Sequence, residues 1–181
     1  MTMKVSGSDD YWQQIRIHTH NRLSMGSPWR VQLHVAALLG DHRISASWTG
    51  YTSNQPSLWT VVAVTDDDRL IRLQLEFDAE QYDRDAEQRL QRLHQSVGTA
   101  VHDASVHRLR DAVNLSIGRA FPHVDGWGKP SRDEVDVSDI RLRFSDGSEI
   151  DLGIDQATIY DTDDRARSDA LIEAIRTQSG L

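Results

Sequence analysis

The sequence predicts an α+β domain: seven antiparallel strands, arranged as a closed barrel or an open sheet, with a capping C-terminal helix. Three observations predict it. Runs of alternating apolar and polar residues, bounded by turn residues, recur from Trp29 to Ile154. Apolar residues return at helical spacing near both ends of the chain and once in the middle. The 181 residues, 38% of them hydrophobic, suit a single core.

The first element is a helix from Ser8 to Leu23. Ser8 can N-cap it, Asp9 and Asp10 sit at the positive end of its dipole, and Trp12, Ile15, Thr19 and Leu23 share one side. A strand competes, because Ile15, Ile17 and Thr19 alternate with Arg16, His18 and His20. Residues 1–28 then form a helical arm on a domain spanning 29–181. Four strands are expected next. "WRVQLHVAALL" (Trp29–Leu39) alternates Val31, Leu33 and Val35 with polar residues. "RISASW" follows after the "GDH" turn. "SLWTVVAVT" (Ser57–Thr65) is an apolar, β-branched run. "RLIRLQLEF" (Arg69–Phe77) alternates after the turn Asp66–Asp68.

Ala79–Val97 then carries Ala86, Leu90, Leu93 and Val97 at helical spacing and reads as an exposed amphipathic insertion, ended by Gly98. "SVHRLRDAVNLSIG" (Ser105–Gly118) reads as a turn and a strand ending at Ile117. Phe121–Asp136, with two glycines and two prolines, reads as a loop. "DIRLRFSDGSEIDLGI" is a hairpin turned at Asp146-Gly147, with Ile140, Leu142 and Phe144 on one face. The last helix begins near Thr162, with Asp163 and Asp164 in its first turn and Ala166, Ala170, Leu171, Ala174 and Ile175 as its apolar stripe.

The phrases "AVTDDDRLIRLQLEF", "VHRLRDAVNLSIG" and "IRLRFSDGSEIDL" resemble strands of bacterial pleckstrin-homology-like domains. Seven strands and a closing helix is also their element order. The resemblance spans Val31 to Ile175. The helical insertion and the N-terminal arm depart from it. It implies a barrel and a role in binding or assembly, although a fold alone does not assign a function.

Composition narrows the function classes. The net charge is -8 and the pI about 5.4, which disfavours nucleic acid and anionic membrane surfaces. The loop "LGDHR" offers only His42 and Arg43 where phosphoinositide binding would need several cations. The absence of cysteine excludes disulfides, thiolate catalysis and Cys-ligated zinc. No apolar run approaches the roughly 20 residues of a spanning helix, and no signal-peptide core is seen, so a cytoplasmic location is expected.

Motifs for chemistry are sparse. There is no Gly-x-Ser-x-Gly elbow. "GWGKPS" lacks P-loop spacing, and Pro130 stops a helix from starting behind Lys129. None of the acidic clusters has the spacing of a calcium loop. His18 and His20 would face one way on a strand and serve a metal-dependent hydrolase. On a helix they diverge by about 200°, so no metal and no cofactor are expected. The expected role is a non-catalytic interaction or assembly module that contacts a protein partner or a second copy. Its contact residues are placed at Trp127, Phe121, His123 and Arg132, or on the Ala79–Val97 helix. An acidic inhibitor of a basic enzyme is the alternative that the net charge supports.

Overall fold

Ser8 begins the first helix, α1 (Asp9–Thr19), and its hydroxyl accepts the Tyr11 amide. This computed structural model describes residues 2–21, 26–79, 84–93, 95, 97–124, 127–154 and 162–181. The helix reading of the N-terminus therefore holds over Asp9–Thr19, and Leu23 lies outside the described residues. Tyr11, Ile15 and Thr19 are the buried face, spaced by four residues.

Trp29–Leu39 corrects the expectation of a strand: it is α2. Its apolar positions satisfy both periods. Leu33 separates them, because a strand would bury it with Val31 and Val35. It is 41% exposed, whereas Val31, Val35, Ala36 and Leu39 are buried at helical spacing. Pro28 starts the helix without a backbone donor, and the Gly40 amide closes it on the Ala36 carbonyl.

Three strands follow, β1 (Ile44–Thr52), β2 (Ser57–Thr65) and β3 (Arg69–Phe77). The helix of the insertion ends earlier than its periodicity implied. Helix α3 covers Arg84–Arg92, Leu93 is exposed, and residues 80–83, 94 and 96 lie outside the described residues. The fourth strand is β4 (Thr99–Arg108). A 3-10 turn, Leu109–Asp111, separates it from β5 (Ala112–Val124). One strand was expected between Ser105 and Ile117; two are present, because buried Leu109 pins the corner and its amide bonds the Asp68 carbonyl. Strand β6 (Pro130–Phe144) and the short β7 (Glu149–Asp151) complete the expected last hairpin.

The strands form two sheets, ordered β1-β2-β3-β4 and β5-β6-β7, all antiparallel. The barrel alternative is thereby corrected to two open sheets: the 3-10 corner turns the chain from β4 into a separate sheet. The four-stranded sheet is covered on both faces. Helices α1 and α2 pack Tyr11, Ile15, Val31, Val35 and Leu39 on Trp59, Val61, Ile71, Leu73 and Leu75. The opposite face, with Trp48, Val62, Val64 and Leu70, meets Ile140, Leu142, Phe144 and the closing helix α4 (Thr162–Ser179). The α4 stripe is rotated from the expected one. Asp164, Ser168, Leu171, Ile172 and Ile175 are buried, and Ala166 and Ala170 are exposed, because the larger aliphatic residues take the core side.

His18 joins three elements. Its Nδ1 lies 2.8 Å from Ser47 Oγ, and its carbonyl accepts from the Ser47 and Thr49 hydroxyls of β1 at 3.1 and 2.9 Å. Arg167 of α4 donates to the carbonyls of His18 and His20, supplying a cation to the negative end of α1. Burial, and secondarily the Arg167 charge, lowers the His18 pKa. The folded state therefore holds His18 neutral where the unfolded chain begins to bind a proton. Stability from this site is full above the unfolded value of about 6.5 and is lost as pH falls below it. Urea unfolding at about pH 7.5 and about pH 5 should show a loss in the native chain that His18→Asn reduces. Equal losses in both chains would contradict this assignment.

Candidate functional site

The residues expected to form a contact loop lie instead on a long β-hairpin. Strand β5 runs on to Val124 and β6 starts at Pro130, and their pairing reaches Val124 opposite Pro130. The Gly and Pro content of Phe121–Asp136 marks a tight tip and a bulge rather than a loop throughout. A bulge separates Pro122 from Val124, and Gly128 takes a φ of 77° at the tip. Residues 125 and 126 lie outside the described residues.

The lower half of this hairpin belongs to the core. Ile140, Leu142 and Phe144 are buried, and Leu115 packs against them. Its upper half forms a tongue, with most of β5 exposed. Gly118 marks the transition: a Cβ there would lie 2.7 Å from Asp139 Cβ, so the two strands approach closely only because this position has no side chain. Above it, Phe121 is 45% exposed, Val135 58% and Trp127, at the tip, 96%. Arg132 is exposed on β6. Single exposed apolar residues are ordinary on protein surfaces, whereas here several share one hairpin.

His123 does not belong to that exposed row. It is half-buried on the upper half of the tongue, next to the Val124–Pro130 pair, with Nδ1 at 3.2 and 3.3 Å from the two Asp136 oxygens and Nε2 at 3.7 Å from Glu134. Arg165 of α4 contacts both His123 and Asp136 and reaches Asp169 at 3.9 Å. Val135, Val137, Ile154 and Ile172 supply the apolar wall of an adjoining 160 Å³ cleft, with Ser168 on its rim. The structure thus brings Phe121, Trp127 and Arg132 together on one tongue and assigns His123 to the clasp that fastens the tongue to α4. Asp136 and Arg165 had no sequence signal, since 29 positions separate them and Asp136 sits within an acidic string that reads as solvated surface.

His18 and His20 do not converge. His18 faces Ser47, and His20 is exposed at the end of α1. Among the described residues a different group could hold a metal: His42, Asp66 and Asp67, whose ligand atoms lie within 4.8 Å of one another. Two turns bring it together, joined by the Asp66 amide on the Arg43 carbonyl. The two carboxylates, however, address opposite ring nitrogens, Nδ1 at 3.3 Å and Nε2 at 3.4 Å. A metal takes one imidazole nitrogen, whereas this arrangement suits an imidazole tied between two turns. Arg69 also holds Asp67 at 2.7 Å. Partial burial works to raise the Asp67 pKa, and hydrogen bonds from Thr65 and Arg69 outweigh it and lower it.

The clasp has a measurable consequence. Asp136 and Arg165 are both largely shielded, which strengthens a charge-assisted contact beyond the usual surface pair. Asp136→Asn should free the tongue from α4 at a cost of about 1 kcal/mol, roughly a fivefold gain in local opening. Trypsin cleavage after Arg119 and Arg132 reads that gain directly, and an unchanged cleavage rate would refute the clasp. No family model, curated protein or solved structure matches this chain.

Proposed function

We propose that this chain is a non-catalytic interaction or assembly module whose contact surface is the β5–β6 tongue. The observation that carries the reading is the row of exposed apolar and aromatic side chains, Ile117, Phe121, Val135 and Trp127, on one projecting hairpin. A two-stranded hairpin is marginal in water by itself, and this one is braced at its root by the core and higher up by Arg165. Bracing a side chain before contact removes part of the entropy cost of binding. Seven strands and a closing helix fit the pleckstrin-homology-like resemblance loosely, while the two open sheets depart from its barrel. That resemblance also favours binding over chemistry.

Charge distribution separates this reading from that of an acidic inhibitor. The hairpin, residues 112–144, has five basic and five acidic side chains and is neutral, so the net charge of -8 resides on the rest of the chain. A basic enzyme would be drawn to that remainder, with salt weakening the complex. Contacts through the tongue rely on apolar area and do not weaken in this way.

A photoreactive side chain introduced at Phe121 should cross-link a protein in cells, while the same group at Gln13, exposed on α1, should not. Trp127→Ala should lose the adduct and keep the melting temperature, because the side chain is 96% exposed. Adducts at Gln13 and none at Phe121 would overturn the assignment of the surface.

A further inference from the structure

We infer that the tongue's partner is a second copy of this chain, and that β5 pairs antiparallel with β5 of that copy across a two-fold axis. The two three-stranded sheets then become one sheet of six strands. This deepens the reading of the tongue as a contact surface and rests on it.

The inference starts from the edges of the two sheets. Strand β1 is covered along its edge by α1: Asn21 Nδ2 donates to the Thr49 carbonyl at 2.7 Å, and the Ser47 and Thr49 hydroxyls bond the His18 carbonyl. Strand β7 has three residues, too few to template another strand. Strand β4 is bulged opposite Gln74 and Leu75 and carries Asp103 and Arg108. Strand β5 is the exception. Among the described residues it pairs with β6 alone, over 13 residues. Its bulges lie at its ends, between Ala112 and Asn114 and between Pro122 and Val124. The stretch between them, Asn114–Phe121, runs in register and has one charged side chain, Arg119. Proteins protect long edges with charge, proline or bulges because a bare ladder recruits another strand. Here those devices sit at the two ends and leave the middle open.

The chemistry of the open stretch fits a copy of itself. Arg119 is already paired with Asp139 at 3.0 Å, so it brings little free charge to the contact. An axis through Gly118, in the middle of the stretch, sets Ile117 opposite Arg119 of the other copy, Ser116 opposite Ala120 and Leu115 opposite Phe121. No like charges are opposed, and each contact is made twice, as an isologous interface requires. Ile117 and Phe121, exposed in one chain, flank the axis in both. The neutral tongue lets two chains of charge -8 meet where their repulsion is least. Added salt screens that repulsion, so association should tighten with salt.

Sedimentation velocity on the purified full chain, from micromolar to millimolar, tests the inference. A reversible dimer is expected, tighter at higher salt. Ala120→Lys, a charge placed on the edge at an exposed position, should weaken it by about tenfold or more. Because the chain has no cysteine, Ser116→Cys gives a single thiol beside the axis. A short bis-maleimide should couple two such chains and should not couple Gln13→Cys chains. A monomer across the whole range overturns the inference. So does a dimer that is insensitive to Ala120→Lys and is not coupled through Ser116→Cys. A monomer that still cross-links a different protein from Phe121 overturns self-pairing and leaves the tongue reading standing. A monomer without such adducts removes both.

Discussion

Burial of β2 on both faces is the constraint on which the rest of the molecule depends. Trp59, Val61, Val62, Ala63 and Val64 have no measurable exposure, and their side chains alternate between the two faces of the sheet. Each fully buried large side chain of this kind contributes roughly 1.5–3 kcal/mol. Both faces therefore need a cover. On one face α1 and α2 provide it. On the other, α4 and the lower half of the β5–β6 hairpin share it. Once that face is filled, the upper half of the hairpin reaches the core only through Val137 and Ser138, and the rest of it forms the exposed tongue. The exposed apolar row thus follows from how the core is closed.

The same division shows in the electrostatics. Polar joints hold the covers in place: His18 with Ser47, Arg167 on the end of α1, and Arg72 donating to Asp103 at 2.7 Å and to the Asp151 carbonyl at 3.0 Å between the sheets. Arg165 does the same for the tongue. These contacts fix geometry as much as they add stability, since desolvation offsets part of the attraction of largely shielded pairs. They present a neutral, apolar element at a defined angle on an acidic body, which favours contacts made through area and backbone over contacts made through charge.

Much of the fold was legible in the chain, and the misreadings have identifiable causes. Ser8 with Asp9 and Asp10 marked α1, the alternation in Arg69–Phe77 marked β3, and Asp146-Gly147 marked the last turn. Each is a local signal that packing leaves in place. Trp29–Leu39 failed because Val31, Val35 and Leu39 satisfy both periods, and only the exposure of Leu33 decides between them. Phe121–Asp136 failed because Gly126, Gly128, Pro122 and Pro130 read as a loop, whereas two strands pair through most of it. Of the residues singled out by composition and neighbourhood, Phe121, Trp127 and Arg132 are exposed on the tongue. The pairing of His123 had no local signal, because its partners Asp136 and Arg165 meet it only after folding.

Hydrogen exchange along β5 tests the central claim, that this edge is a pairing surface, most directly. The account predicts that amides between Asn114 and Ala120 gain protection as chain concentration rises, while amides of buried β2 stay unchanged. Protection in β5 that is independent of concentration, at the level of an open edge, would contradict it.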